Sequence, residues 1–275
     1  MHEILQGLDP GSTVLDLGCG GGSFTGCPGR ILRIDRELPE ERFQGSFAQA
    51  DAARLPLADA SLDALVSNHS LEHFDHLDQA LDEMGRTLKP DAALFVAVPD
   101  ASTFTDRLYR WLARGGGHLN AFTDSSDLAR LIEKLTGLPH RATRPLFSSL
   151  SFLNRANHPS KPPRKLMLLG GGSQWSLRLY TLLSRSLDRL LGTRLSFYGW
   201  ALYFGNIPHP IDTRGWINVC IRCGSAAPSG QLKSSGLVYR RRGLNVFQCP
   251  VCSTWNHFFN DRPVAHIRRL RGEDD

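Results

Sequence analysis

A strand-like run, Thr13-Val14-Leu15-Asp16-Leu17, breaks directly into Gly18-Cys19-Gly20-Gly21-Gly22. A buried strand that ends in glycines brings bare backbone to the carboxyl edge of a sheet, where a ligand can approach closely. Such an edge suits a nucleotide-like ligand. The dinucleotide fingerprint fails, because Ser23 stands where the third glycine or alanine belongs. The Gly-Lys-Ser/Thr ending of a phosphate loop is also missing.

Short apolar runs then alternate with helical patterns, as in a parallel sheet covered by helices. Strands are expected at Arg30 to Asp35, Phe47 to Asp51, Leu62 to Asn68 and Ala93 to Val98. Leu77, Leu81, Met84 and Leu88 mark one helical face, stopped by Lys89-Pro90. Ser125 to Leu135 reads as a helix, Arg144 to Phe147 as a strand, and Trp175 to Leu191 as an amphipathic basic helix. The segment Asn157 to Gly172, rich in proline and glycine, reads as a linker or mobile loop. The expected fold is α/β, a doubly wound, mostly parallel sheet with a small C-terminal module. The expected divisions are 1–155 for the sheet domain, 156–215 for a basic helical region, 216–262 for a metal ribbon and 263–275 for a charged tail.

The run Val14 to Gly22 resembles the first motif of the class I S-adenosylmethionine-dependent methyltransferases, and later segments match in order and spacing. Gln49-Ala50-Asp51-Ala52-Ala53-Arg54-Leu55-Pro56-Leu57, Asp59 to Asp63, Ser70-Leu71-Glu72-His73 and Arg86 to Asp91 are similar to the type 11 subgroup, which includes the ubiquinone and menaquinone biosynthesis methyltransferases. The resemblance spans about residues 10 to 100. It implies a Rossmann-like methyltransferase fold that binds S-adenosyl-L-methionine through Asp16, Gly18, Cys19, Gly20, Asp35, Asp51, Ala52 and Asn68. Asp35 would take the ribose hydroxyls, and Asp51-Ala52 the adenine. One departure is local: so few residues separate Gly22 from Arg30, Pro28 and Gly29 among them, that the usual first helix must be very short or absent.

Methyl transfer from a sulfonium needs mainly positioning and exclusion of water. A hydroxyl or weakly acidic carbon acceptor would also need a base, and His69 and His73, just past the fourth strand, are the candidates, with His118 as another. Ser67-Asn68-His69-Ser70 lacks the Asn/Asp-Pro-Pro-aromatic motif of many nucleobase amine methyltransferases. It also lacks the cysteine that pyrimidine C5 methylation requires.

Cys220-Ile221-Arg222-Cys223 and Cys249-Pro250-Val251-Cys252 form two CxxC units, the pattern of a four-thiolate zinc ribbon. Four thiolates leave no open position, so the Zn2+ would be structural. Residues 1–150 carry 14 basic and 21 acidic side chains, whereas residues 151–275 carry 18 and 6. The basic half suits an anionic partner, either RNA or a membrane surface. Arg240-Arg241-Arg242, Arg268-Arg269 and Trp255 to Phe259 interleave charge with aromatic rings. No apolar stretch is long enough for a transmembrane segment and no signal peptide is evident, so the expected location is cytoplasmic.

The leading expectation is a methyltransferase for a small-molecule or lipid- or saccharide-linked acceptor. The alternatives are an RNA methyltransferase that grips RNA with its ribbon, and a non-catalytic binding module.

Overall fold

A computed structural model of the chain describes residues 1–24, 26–39, 46–112, 117–151 and 174–261. Two compact units are present. The first comprises Met1–Asp100, Gly117–Thr143 and Trp200–Asp212, and the second Ala101–Gly116, Arg144–Gly199 and Thr213–Asp275.

The main sheet contains β1 (Thr13–Leu17), β2 (Arg30–Asp35), β3 (Ser46–Gln49), β4 (Leu62–Asn68), β5 (Leu88–Pro99), β6 (His140–Phe147) and β7 (Phe197–Gly205). Their order is β3-β2-β1-β4-β5-β7-β6. The first five strands run parallel, with Leu15 beside Leu32 on one flank and Leu65 on the other. Val14, Leu15, Leu65, Val66 and Leu94 are fully buried, as expected of strands covered on both faces. Chain order reverses between β1 and β4, which creates a switch point where ligands bind beyond the carboxyl ends of the strands. The Asn206 N–H donates to the Ala92 carbonyl at 3.0 Å, so the end of β7 meets the start of β5.

Besides the short N-terminal α1 (His2–Leu5), the first unit holds α2 (Leu77–Thr87) and α4 (Ser125–Thr136), which pack together. Gly85 permits the close approach, because a Cβ there would lie 2.8 Å from Thr136 Cα. The Asp124 carboxylate caps α4 by accepting from the Ser126 and Asp127 N–H groups, and Gly137 at φ +73° ends it. Helix α2 stops at Thr87, earlier than Lys89-Pro90 suggests, because Leu88 is already extended and pairs with Leu62. The register then shifts between Leu62 and Ala64, so Pro90 falls at an irregularity where no ladder donor is needed. Among the described residues between Gly22 and Arg30 none is helical, as the short spacing requires.

The second unit contains α3 (Phe104–Leu112), α5 (Gln174–Leu191) and the cysteine-bearing segment. Helix α5 buries Leu177, Thr181, Ser184, Arg185 and Asp188. Arg185 donates to the Ser196 and Ser148 carbonyls at 3.2 Å, and Asp188 accepts from the Leu195 and Ser196 N–H groups. Its apolar stripe faces outward: Trp175, Leu179, Leu183, Leu187, Leu190 and Leu191 are exposed, Leu190 by 78%. The expected linker Asn157 to Gly172, Arg268-Arg269 and the tail 263–275 lie outside the described residues. No described helix is long and apolar enough to cross a membrane.

Candidate functional site

At the carboxyl end of β1 the glycine turn is fixed to its neighbours. The Gly18 N–H donates to the Ile34 carbonyl at 2.8 Å, and the Gly20 N–H to Asp35 Oδ2 at 2.7 Å. Gly18 and Gly20 have positive φ, +67° and +48°. Their surroundings differ. A Cβ on Gly18 would lie 2.3 Å from Ser70 Cβ, so this glycine is required by the protein's own packing, whereas a Cβ on Gly20 would meet nothing within 4 Å. The open side of Gly20 leaves room for a ligand.

Asp16 is fully buried beneath this turn. Its Oδ2 accepts from the Ser23 N–H at 2.9 Å and lies 3.9 Å from Arg33 Nε. Oδ1 is buried with no hydrogen-bond partner among the described residues. Burial raises the Asp16 carboxyl, against the lowering effect of the Ser23 bonds and Arg33. A ligand donor such as an ammonium would satisfy the vacant oxygen and stabilise the carboxylate. Burial, together with the charges of Asp16 and Asp35, pushes the Cys19 thiol up to about 12, so it stays a neutral wall.

Asp35 also accepts the Glu37 N–H through Oδ1, at 3.0 Å, and its carbonyl accepts the Ala50 N–H at 3.0 Å. The second bond anchors the Asp51-Ala52 segment next to Asp35. Ala52 is buried, and the exposed Asp51 accepts the Ala53 N–H at 2.9 Å. Asp16, Gly18, Cys19, Gly20, Asp35, Asp51 and Ala52 are therefore brought together at one sheet edge. Asn68 ends β4 on the other side of the switch point.

The turn after β4 lies on Gly18. The Ser70 hydroxyl donates to the Leu17 carbonyl at 3.0 Å and shares a 2.6 Å bond with Ser67. His69 adopts φ +57°, a left-handed conformation that costs a non-glycine residue of the order of 1–2 kcal/mol. Its backbone N–H is held by the Ala97 carbonyl at 2.8 Å. Burial, followed by the neighbouring His118 and His73, pushes the His69 imidazole well below its ordinary value, so it is neutral at pH 7.

A short 3-10 turn, Leu71–His73, continues this segment. The Glu72 carbonyl accepts from the Leu119 and Asn120 N–H groups at 2.7 and 3.0 Å, and the Asn120 side chain donates to the Leu71 and Phe74 carbonyls. These bonds bring His118 to His73, with ring centroids 4.8 Å apart. Glu72, only 1% exposed, joins them. Sequence reasoning gave it no role of its own, although its place beside His73 directly after a strand end was the available signal.

In the second unit all four ribbon cysteines converge. Sγ–Sγ separations are 3.5 Å for Cys220–Cys252 and 3.7 Å for Cys223–Cys249. Metal–sulfur bonds of about 2.3 Å in a tetrahedron give edges of about 3.8 Å, so the thiols fit one closed site. Each CxxC forms the same knuckle. The Cys220 N–H donates to the Ser225 carbonyl and the Gly224 N–H to the Cys220 carbonyl, while Cys249, Thr254 and Ser253 repeat the pattern. The residue four places after each first cysteine has positive φ, +73° at Gly224 and +57° at Ser253. Gly224→Ala should therefore lower stability by about 1–2 kcal/mol, as measured by thermal unfolding of metal-loaded protein.

Around the knuckles lie two sheets, β8 (Asn218–Val219) with β9 (Ala226–Ala227), and β10 (Val238–Arg241), β11 (Leu244–Gln248) and β12 (Trp255–His257), together with α6 (Ser229–Ser234). Phe258 belongs to their core, whereas Trp255 stacks edge to face with Tyr239 and under Arg241, whose guanidinium is 3.9 Å from the ring centroid.

Residues 15–96 match the family described as methyltransferase domain. A malonyl-[acyl-carrier protein] O-methyltransferase of Methylococcus capsulatus is 32% identical over 141 residues, which are 44% of this chain and 51% of that protein. The ubiquinone/menaquinone biosynthesis C-methyltransferase UbiE of Teredinibacter turnerae is 33% identical over 111 residues, 34% of this chain and 45% of that protein. The chain thus spans about half the length of these relatives. The crystal structure of geranyl diphosphate C-methyltransferase from Streptomyces coelicolor superposes with a TM-score of 0.49 at 13% identity, over 75% of this chain and 76% of that one. The matched segment, 15–96, is the part of the chain that carries the glycine turn, Asp35 at the end of β2 and Asp51 after β3.

Proposed function

We propose that the protein is an S-adenosylmethionine-dependent methyltransferase whose acceptor is a small or lipid-linked molecule. The observation that carries this reading is the open cradle at Gly20 over the buried, unpartnered Oδ1 of Asp16. The cofactor's amino-acid part would lie along Gly18 to Gly20, with its ammonium donating towards Asp16. Its ribose hydroxyls would donate to Asp35 and its adenine amino group to Asp51. Transfer would be an in-line displacement: an acceptor lone pair forms the new bond to the methyl carbon while the carbon–sulfur pair leaves on sulfur. An acceptor hydroxyl would pass its proton to water or to a histidine of the 69–73 turn. The four cysteines would hold a structural Zn2+.

The outward stripe of α5 favours a lipid surface over RNA. Exposed tryptophan and leucines on a chain half with an excess of basic residues match an interfacial helix on anionic lipid. Named relatives that act on a carrier-bound acid and on quinone biosynthesis agree with a non-nucleic-acid acceptor.

The test is transfer from methyl-labelled S-adenosylmethionine in a fractionated lysate of the source cells. Label entering the organic-solvent extract, and lost with Asp35→Ala, is the expected result. Label in RNA would support the RNA methyltransferase instead. Absence of label from a protein that still binds cofactor would point to the non-catalytic module.

A further inference from the structure

We infer that Glu72, His73 and His118 form a second metal site, separate from the four cysteines, for a divalent ion of the zinc class. One ligand-type atom from each lies within 4.8 Å of the other two. The set is two imidazoles and one carboxylate, the donor set of catalytic zinc sites that keep an open position. An ion with bonds of about 2.0–2.1 Å needs donors about 3.4 Å apart, so the side chains would have to close in from their present separations, which are at most 4.8 Å.

Three features mark the cluster as a built site. The His73 Nδ1 donates to the Gly117 carbonyl at 2.9 Å, which fixes the tautomer and makes Nε2 the ring nitrogen that carries the lone pair. Gly117 presents that carbonyl from φ +75°. The Glu72 carboxylate is almost wholly buried among histidines, with His69 Nδ1 3.9 Å from Oε1 as a nearby fourth donor. The two segments that supply the ligands are clamped by backbone bonds from Leu119 and Asn120 to Glu72, so the ligand backbones are fixed before an ion arrives.

Ser70, within the same turn, packs on Gly18, which puts the cluster at the carboxyl edge of the sheet. An ion there would take an acceptor oxygen in its open position and lower that oxygen's pKa, so that the proton leaves to solvent before methyl transfer. This use of the ion rests on the methyltransferase reading, whereas the metal assignment rests on the geometry alone. The acceptor class it favours is a hydroxyl, whose proton the ion would help to remove.

The test is Co2+ loading of the full, untagged chain, with bound metal counted after gel filtration and the visible spectrum recorded. Two ions per chain are expected. One should show intense thiolate-to-cobalt bands and the other only weak bands typical of nitrogen and oxygen ligands. His118→Asn and, independently, His73→Asn should each abolish the second ion, weakening it at least a hundredfold, while the thiolate bands remain. His118 lies in a loop, so its replacement leaves the sheet intact. A wild-type chain that binds no ion other than the thiolate-ligated one overturns the proposal, as does a second ion that survives His118→Asn. None of these readouts involves S-adenosylmethionine, so failure of the metal site and failure of the methyltransferase reading are distinguishable.

Discussion

Replacing Cys249 with serine, or exposing the protein to a strong zinc chelator, is expected to unfold the ribbon. Cys220 and Cys249 are core residues of a small cluster whose other buried members among the described residues are Ala227, Leu232, Phe247 and Phe258, with Leu237, Val238 and Cys252 packed partly buried against it. So little apolar surface cannot offset the entropy of ordering the surrounding strands. A structural zinc contributes of the order of 10 kcal/mol or more at neutral pH, and in such modules that energy is folding energy. Trp255, packed against Tyr239 and Arg241, is the reporter: its fluorescence should shift towards that of a solvated indole as metal is removed. Thiol chemistry gives a second reading. Cys223 is exposed, so a free thiol there would be open to labelling, whereas a metal-bound thiolate reacts only as zinc is released. Rapid labelling of the untreated protein, with no change in fluorescence on chelation, would contradict this account.

The second large effect is expected at Gly20. A leucine there meets no protein atom at its Cβ, so the cost to folding is the left-handed backbone, about 1–2 kcal/mol. The cofactor would have no such freedom. A side chain placed in its path should cost binding about 1.5–3 kcal/mol, the upper part of the range for overpacking, or roughly ten- to more than a hundredfold in affinity. Gly18 should behave in the opposite way: its Cβ would collide with Ser70, so Gly18→Ala should show its main effect on stability. Calorimetric titration together with thermal unfolding separates the two. Equal cofactor affinity for Gly20→Leu and the parent would place the ligand elsewhere.

What could be read from the sequence was what local chemistry determines. The glycine turn after β1, the acid that ends β2 and the two cysteine knuckles each depend on residues a few places apart, and all stand where their spacing put them. That the usual first helix is very short or absent was equally legible from the short connection, and among the described residues between Gly22 and Arg30 none is helical.

Long-range placement was not legible. Strand β7, Phe197–Gly205, was given no element from the sequence although its aromatic residues favour a strand, and its insertion between β5 and β6 depends on pairing far along the chain. The apolar side of α5 was visible, but its outward orientation was not. That orientation follows from Arg185 and Asp188, whose partners Ser148 and Ser196 the sequence does not connect to the helix. His118 reaches His73 only through the bonds that tie Leu119 and Asn120 to Glu72.

Calorimetric titration of S-adenosylmethionine into the parent protein decides whether the switch-point turn binds the cofactor. Saturable binding of one cofactor per chain, weakened at least tenfold by Gly20→Leu, is expected. No heat of binding at millimolar cofactor, from protein that unfolds cooperatively, would contradict it.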